Sequence, residues 1–296
     1  VKAAQALGID ARFEEKSSLP FPICGAVKFP RQAQFHPLRF LEGISRNLTI
    51  YEHSMVKEIA DKRLFTPSGT VTAEAVVVAS HFPFINSPGH YFMRLHQERS
   101  YVIALEQAAQ LDGMYLDCAE NGYSFRNYEN LLQLGVAGHR TGQNTKGVAY
   151  TLLRQAARSF FPDCVERYHW SAQDCIPADD IPYIGEYASD WPGFYVATGF
   201  KKWGMTGSMV AAMLLTDAIC GKRNENSEVF SPQRFSLGAS AKGMLKDSSI
   251  AATNLLKQKL MVPDTILADL PKGHGGIVEY KGIKVGVYKN DVGNIY

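Results

Sequence analysis

The sequence predicts an α/β fold with an α+β part, and three patterns support this class. The continuous apolar run Ala75–Ala79 is typical of a buried strand of a parallel sheet, and the β-branched and aromatic run Phe194–Thr198 also predicts a buried strand. Four strand-like segments between Arg99 and Val136, spaced roughly ten residues apart and separated by polar turns, predict a mostly antiparallel sheet. Helical patterns flank these strands, which favours mixed layers of sheet and helix.

The stretch from Asp174 to Gly221 organises the rest of the chain. Phe194–Thr198 predicts a buried strand, Gly199 and two further glycines follow it, and Ser208–Ile219 predicts an apolar helix that ends at Gly221. A strand that turns through glycines into a helix presents free backbone N–H groups at the positive end of the helix dipole. We expect this turn to hold an electron-rich group; a purely structural turn is the alternative.

Local signals predict the other elements. His36-Pro37 precedes a candidate helix, and His36 is interpreted as the residue that opens it through a backbone hydrogen bond. Asp179 and Asp180 precede Pro182, so turn and capping hydrogen bonds are expected there rather than a catalytic pair. Further predicted elements are a helix over Leu38–Ile44, one or two strands over Leu48–Ile59, a hairpin turning at Pro67–Gly69, a helix over Tyr150–Pro162 and a strand over Tyr168–Asp174.

The amino-acid sequence of the stretch from Asp174 to Gly221 resembles that of a known family. Pro182-Tyr-Ile-Gly185 precedes Tyr195-Val-Ala-Thr-Gly-Phe200, and Trp203-Gly-Met-Thr206 follows. This order resembles the C-terminal flavin signature of the D-amino-acid-oxidase-like FAD-dependent oxidoreductases. The resemblance implies a Rossmann-like FAD-binding domain with an inserted, mostly antiparallel substrate-domain sheet. It also implies that the turn lies against the pyrimidine end of the isoalloxazine, where oriented N–H groups stabilise negative charge.

The same resemblance implies a set of cofactor-binding residues. Val56 is expected beside the adenine, and Ala79 ends a strand that borders the pyrophosphate or the flavin. Ser80 and His81 stand where many family members have a glycine, so we expect the backbone to approach the cofactor less closely there. The complete set is Val56, Ala79, Ser80, His81, Gly199, Phe200, Lys201, Trp203, Gly204, Met205 and Thr206.

Four residues are candidates for the substrate side: Tyr123, Arg126, His139 and Lys202. Arg126 and His139 lie in segments that resemble a family element facing the re side of the flavin, where a guanidinium could clamp a carboxylate. The alternatives are a strand-surface charge for Arg126 and a turn residue for His139. Lys202 could instead lie at the N1/C2=O edge of the flavin. No catalytic residue is assigned, because hydride transfer to a flavin depends mainly on positioning.

Composition narrows the class of partner. The 296 residues include 46% hydrophobic and 20% charged residues with a net charge of +2, which is typical of a globular protein and gives no sign of nucleic-acid binding. The longest apolar run, Met209–Leu215, is too short to span a membrane. Five widely spaced cysteines without a C-x-x-C pair favour free thiols in a reducing cytoplasm. We expect a cytoplasmic protein whose partner is a small molecule.

Two features suggest part of a longer protein. The chain has no initiator Met and no G-x-G-x-x-G between a strand and a helix, so the FAD-binding domain is expected to be incomplete here. FAD is therefore expected in the full-length protein, and its binding by this chain alone is left open. Asp269–Tyr296 predicts strands that resemble the opening of a Rieske domain of the type fused behind some FAD oxidoreductases. No cysteine follows Cys220, so the ligands of a [2Fe-2S] cluster are expected beyond Tyr296.

These patterns give a predicted domain organisation. It comprises part of the FAD-binding domain with its hairpin (1–93), the substrate-domain sheet and helix (94–172), the C-terminal flavin-binding strand, turn and helix (173–225), a helical linker (226–267), and the opening strands of a small Rieske-like β domain (268–296).

Two functions from different classes fit the sequence. The first is an FAD-dependent oxidoreductase that oxidises an amine or amino-acid-like substrate by hydride transfer to flavin N5, with electrons passing to a Rieske cluster if one follows. The second is a non-catalytic flavin-fold module for binding or protein interaction. The substrate, the electron acceptor and the oligomeric state are not indicated by the sequence.

Overall fold

The structure is a computed structural model that describes residues 1–60, 62–119, 122–141, 148–234, 267–270, 272–281 and 283–296. The helices in these ranges are α1 (Lys2–Ala6), α2 (Pro37–Ser45), α3 (Ala149–Phe160), α4 (Gly204–Ile219) and α5 (Ser227–Phe230), with 3₁₀ turns at Tyr91–Met93 and Leu267–Asp269. The strands are β1 (Arg12–Glu14), β2 (Ala26–Lys28), β3 (Glu58–Ala60), β4 (Arg63–Thr66), β5 (Gly69–Thr72), β6 (Val76–Val78), β7 (Leu95–Glu106), β8 (Tyr115–Leu116), β9 (Tyr123–Tyr128), β10 (Leu131–Arg140), β11 (Val165–Pro177), β12 (Tyr183–Glu186), β13 (Phe194–Thr198), β14 (His274–Tyr280) and β15 (Ile283–Lys289).

The largest sheet is the predicted antiparallel one. Its five strands run in the order β11-β7-β10-β9-β8, and every pairing is antiparallel. Alternate residues of β7, among them Ile103 and Leu105, are buried against Leu153 and Ala157 of α3. Residues of the opposite parity point to the other side of the sheet, which we call the far face. The prediction of a mostly antiparallel substrate sheet is thus confirmed.

A smaller mixed sheet contains the two predicted buried strands. Its order is β12-β13-β6, with β13 parallel to β6 and antiparallel to β12. All five residues of β13 are buried, because α4 covers one side through Leu214 and Leu215 and an aromatic cluster around Tyr91 and Tyr187 covers the other. The continuous hydrophobicity of Phe194–Thr198 is explained by this double coverage.

Helix α4 begins four residues earlier than predicted. Gly204 is its first residue, and the N–H of Gly207 donates to the carbonyl of Trp203 at 2.7 Å, which closes the first turn. Gly204 and Gly207, two of the three glycines that predicted a turn, are therefore inside the helix. Its predicted end is confirmed: Gly221 follows α4 with φ of 68° and donates its N–H to the carbonyl of Ala218.

The region before β3 corrects one prediction. Residues Leu48–Lys57 do not form strands, and only Glu58–Ala60 at the end of the predicted range does so. Leu48, Ile50 and Met55 are 61–66% exposed, since no described strand lies beside them. Alternating hydrophobicity needs a partner strand to become a sheet, and here it has none among the described residues.

The interpretation of His36 is confirmed. It is the N-cap of α2, and its Nδ1 accepts a hydrogen bond from the backbone N–H of Arg39 at 3.3 Å, with Pro37 in the first turn of the helix. The hairpin with its turn at Pro67–Gly69 is also present, as β4 and β5.

The turn after β11 is fixed by a buried ion pair. The guanidinium of Arg234 donates to both carboxylate oxygens of Asp179, from Nε at 2.8 Å and from a terminal nitrogen at 2.9 Å. It also donates to the carbonyl of Pro182 and lies 4.1 Å from the centre of the Tyr183 ring. Burial acts to raise the pKa of Asp179, but the hydrogen bonds and charge of Arg234 outweigh it and lower that pKa. Asp179 is therefore a structural residue of the turn, as expected.

At the C-terminal end, β14 and β15 form the predicted antiparallel hairpin, and Ile295 adds an isolated bridge to Lys289.

The predicted helical pieces of the linker lie at 235–260, outside the described residues. The proposed domain boundaries stay predictions. No helix among the described residues is long and apolar enough to cross a membrane.

Candidate functional site

The candidate site lies where two parallel strands end together. Because β6 and β13 are parallel neighbours, the loops after Val78 and Thr198 leave the sheet at the same edge. Ligands of open α/β sheets bind at such carboxyl edges. The two loops contain Ala79, Ser80 and His81 on one side and the turn Gly199–Trp203 on the other, so the structure brings most of the predicted cofactor-binding residues to one edge.

The loop after β6 is tied to its neighbours through one carbonyl group. The carbonyl of His81 accepts a hydrogen bond from Thr198 Oγ1 at 2.5 Å and another from Cys175 Sγ at 3.3 Å. His81 has φ of 66°, in the left-handed region that favours glycine. The two hydrogen bonds thus hold a conformation that a histidine adopts at a cost. Burial raises the pKa of the Cys175 thiol, which keeps its proton available for this contact.

The turn after β13 requires its first glycine. Gly199 has φ of 78°, and a Cβ atom there would lie 2.6 Å from Cγ of Pro177. The turn continues with a hydrogen bond from the N–H of Lys201 to the carbonyl of Cys175 at 3.0 Å, which fixes it to the end of β11. Gly207 is equally constrained, since a Cβ atom there would lie 2.6 Å from the ring of Phe200.

The N-terminus of α4 supplies the hydrogen-bond donors of the site. The backbone N–H groups at the start of a helix have no partner within the helix, and Trp203 gives α4 no side-chain cap. Trp203 is 70% exposed, and a Cβ atom placed on Gly204 would meet nothing within 4 Å. Gly204 and Thr206 are exposed, and the N–H groups of Gly204, Met205 and Thr206 belong to the first turn, at the positive end of a 16-residue helix. This arrangement fits the electron-rich edge of a flavin.

The two lysines of the turn are each paired with an aspartate. Lys201 Nζ lies 2.7 Å from Asp180 Oδ1. Lys202 Nζ donates to Asp174 Oδ2 at 2.7 Å and to Ser100 Oγ at 2.6 Å. Ser100 Oγ in turn donates to the same Asp174 oxygen at 3.1 Å. Lys202 is thereby fastened to the far face of the antiparallel sheet, beside the N-terminus of α4.

The structure divides the four substrate-side candidates between the two faces of that sheet. Arg126 has the same parity as Ser124, which lies in one row with Gly135 and Val102 on the far face. The pairing across β10 places Arg126 level with Ala104 of β7. Ala104 is four residues, or about 13 Å, from Ser100 along β7, so Arg126 and Lys202 occupy separate positions on that face.

Tyr123 and His139 belong to the face covered by α3. Tyr123 packs edge-on against Phe160 in the buried cluster beneath this helix. His139 Nε2 lies 2.9 Å from Tyr101 Oη, and its Nδ1 lies 2.9 Å from the carbonyl oxygen of Arg140. Both residues thus have structural neighbours on the face opposite Lys202, and their assignment to the substrate stays a prediction.

One predicted cofactor-binding residue, Val56, belongs to another part of the fold, and two residues of the site were not predicted. Val56 lies in the loop before β3, which belongs to a separate three-stranded sheet. Ser100 and Asp174 were missed by sequence reasoning because their role depends on strand register. A cleft of about 340 Å³ adjoins the loop after β6, and its lining residues are Phe82, Leu95, His96, Gln97, Arg140 and Thr141. Within the described ranges, no group of three or more His, Cys, Asp or Glu residues is arranged to hold a metal ion.

Comparison with known proteins defines the class. A family model described as FAD dependent oxidoreductase (DAO) matches residues 2–218, and the chain belongs to this family. Among individual relatives, YhfW of Bacillus subtilis (strain 168), provisionally named a Rieske 2Fe-2S iron–sulfur protein, is 32% identical over 305 residues. The match covers 98% of this chain and 60% of YhfW, so the chain spans about three fifths of that relative.

Solved structures show the same fold. Glycine oxidase from Bacillus cereus ATCC 14579 superposes with a TM-score of 0.67 and 20% identity, covering 80% of this chain and 71% of the oxidase. L-amino acid deaminase from Proteus vulgaris superposes with a TM-score of 0.56 and 16% identity, covering 79% of this chain and 73% of the deaminase. The predicted family and fold class are confirmed by these findings.

Proposed function

We propose that the protein oxidises the C–N bond of an amine or amino-acid-like substrate, using FAD as the oxidant. The observation that carries this proposal is the meeting of three features at one edge: the open N-terminus of α4, the ends of β6 and β13, and the far face of the antiparallel sheet. A flavin held against the first two would lie beside the third, where a substrate could approach it.

Residues of the turn would hold the pyrimidine edge of the flavin. The N–H groups of Gly204, Met205 and Thr206 are preorganised donors, and such donors stabilise charge without rearranging when it forms. The family assignment supports FAD as the group they hold. When bound, the flavin supplies the acceptor for a hydride at N5. The substrate carbon would give up that hydride with its two electrons, and the lone pair of an uncharged amine nitrogen would form the C=N bond.

The protein's task in such a reaction is to position the substrate rather than to transfer several protons. Lys202 is the residue best placed for this, because its ammonium stands between the start of α4 and the far face. Arg126, further along the far face, is a second cationic candidate for a substrate carboxylate. The names of the two structural neighbours, an oxidase of glycine and a deaminase of L-amino acids, support an amino-acid-like substrate.

The electron acceptor forms a separate part of the proposal. The provisional name of YhfW supports a Rieske cluster as the group that reoxidises the flavin in the full-length protein. None of the described residues forms a metal-binding group, so no step is assigned to a cluster within them. An iron–sulfur spectrum in the full-length protein, bleached by the substrate together with the flavin, would support this acceptor. A full-length protein without iron would exclude it.

The test of the main proposal is an anaerobic absorbance spectrum of the full-length protein, recorded before and after adding a panel of amines and amino acids. We expect flavin bands that bleach with one class of substrate. A control substitution, Lys222→Met, removes an exposed lysine outside the site and should leave the bleaching unchanged. Flavin that binds but never bleaches with any amine would contradict the proposed reaction. A protein that binds no flavin would favour the alternative, a non-catalytic module.

A further inference from the structure

We propose that Asp174 and Ser100 are positioning residues that aim the ammonium of Lys202 at an anionic group held against the N-terminus of α4. The inference rests on the proposed function, because that group belongs to the flavin or to its substrate. It adds two residues from distant parts of the chain to the site, and it assigns each of them a task.

The hydrogen-bond pattern of Lys202 carries the first step. An ammonium group has three N–H donors, and two of them are taken by Asp174 Oδ2 and Ser100 Oγ. Because Ser100 also donates to Asp174, the three side chains form a closed ring of hydrogen bonds. The side chain of Lys202 is nevertheless 50% exposed, so its third donor is open to a ligand.

The sheet explains why the ring is rigid. Ser100 lies on β7 and Asp174 on β11, and these strands pair without a register shift from Tyr168 to Pro177. The side chain of Asp174 is only 18% exposed, which limits its rotation. A flexible lysine is therefore anchored at its charged end by two residues whose own backbones are fixed in a sheet.

Lys201 provides the contrast within the same turn. Its partner Asp180 is 71% exposed and lies in a turn rather than in a strand. The backbone N–H of Lys201 already fixes the turn to Cys175. The turn thus has an anchor that does not involve the side chain of Lys202, and the pairing of Lys202 fixes the direction in which its ammonium points.

The chemistry of the remaining donor points to an anion. Two anions could occupy this position: a carboxylate of the substrate, or the negative charge that a flavin gains at its pyrimidine edge on reduction. Both would receive the third N–H of Lys202 together with the donors at the start of α4. The substitution Ser100→Ala is a clean probe, because it removes one anchor without changing any charge.

Positioning and simple electrostatics make opposite predictions for Asp174. If Asp174 acted only through its charge, Asp174→Asn would remove a negative charge near the anion and strengthen binding. If it positions Lys202, the same substitution frees the ammonium and weakens binding. In a Lys202→Met background, Asp174→Asn should then produce no weakening.

The experiment measures two properties of the full-length protein carrying FAD. The first is the dissociation constant of acetate, followed through the flavin spectrum, and the second is the flavin midpoint potential. A substrate carboxylate site predicts about fivefold weaker acetate binding in Ser100→Ala and Asp174→Asn at an unchanged potential. A contact with the flavin itself predicts a lowered potential at unchanged acetate binding. Neither change, or stronger binding in Asp174→Asn, would overturn the proposal.

A third measurement does not depend on flavin, so it separates this inference from the proposed function. Acetic anhydride labelling, followed by mass spectrometry, should modify Lys202 more slowly than the exposed Lys222. In Ser100→Ala and Asp174→Asn, Lys202 should be labelled about fivefold faster than in the protein without a substitution. Asp180→Asn is the matched control, since it should accelerate Lys201 and leave Lys202 unchanged. Equal labelling of Lys202 in all these proteins would refute the anchoring, whether or not flavin is bound.

Discussion

Replacing Arg234 by methionine should destabilise the fold far more than removing an exposed ion pair. The side chains of Arg234 and Asp179 are only 13% and 4% exposed, and the pair is bidentate. Methionine keeps much of the apolar stem but leaves the Asp179 carboxylate buried without its cation. Breaking a buried pair in this way costs about 3–5 kcal/mol. Arg46→Met is the matched control, because Arg46 and Glu42 are 73% and 71% exposed, and such pairs contribute about 0–1 kcal/mol.

The pH dependence of this difference identifies its cause. Arg234 lowers the pKa of Asp179 below its ordinary value, so the pair's contribution is fully present above the unfolded pKa of about 3.9 and is lost as the pH falls through the folded pKa. In Arg234→Met burial is the largest remaining influence on the pKa of Asp179 and raises it, opposed by the smaller effect of backbone hydrogen bonds to the carboxylate. The variant therefore recovers stability by protonating Asp179, and the gap between the two proteins should narrow as the pH falls from neutrality.

Urea denaturation at several pH values between neutrality and mild acid is the assay, with the free energy of unfolding extrapolated to water. A loss below about 1 kcal/mol in Arg234→Met at neutral pH would show that the pair is no more important than a surface contact. A gap that stays constant or widens on acidification would refute the role given to the Asp179 carboxylate.

Three further predictions concern packing at the site and beneath α3. Gly199→Ala should lose about 1–3 kcal/mol of stability in urea denaturation, because its Cβ would overlap Pro177 at a left-handed φ; an unchanged midpoint would contradict the tight turn. Leu153→Ala should lose about 2–5 kcal/mol, since the side chain is fully buried between α3 and the sheet, and a smaller loss would mean that α3 packs loosely. Cys175 should react with a maleimide at neutral pH much more slowly than the exposed Cys24, because burial raises the pKa of its thiol; equal rates would contradict this burial.

Elements with strong local signals were predictable from the sequence. Phe194–Thr198 and the following glycines define a strand, a turn and a helix through residue properties alone, and Pro37 marks the start of α2 in the same way. The alternation in Leu48–Ile59 was equally clear but gave only a three-residue strand at its end. Local pattern predicts the conformation a segment prefers, whereas a strand also needs an edge to pair with.

The site shows the same limit at the level of side chains. Tyr123 and Arg126 differ in parity along one strand, so the two-residue period already places them on opposite faces of the sheet, and this signal was available in the sequence. The partnership of Lys202 with Ser100 was not available, because it depends on residues 102 positions apart meeting through the folded sheet. Register fixes such pairs, and register is a property of the whole sheet rather than of any short motif.

The two aspartate–lysine pairs make the turn electrostatically unusual. Two adjacent lysines beside the positive end of a helix would by themselves repel that end of the helix. They would also attract anions without selectivity. Asp180 and Asp174 each offset one of these charges; Asp174 lies within β11 and Asp180 in the turn after it. The attraction that remains is directional, because it comes from the N–H groups at the start of α4 and the one open donor of Lys202. In the proposed reaction, a site built in this way would select an anion by where its oxygen atoms lie, which is the property that a flavin-dependent oxidoreductase needs in order to place a substrate carbon next to N5.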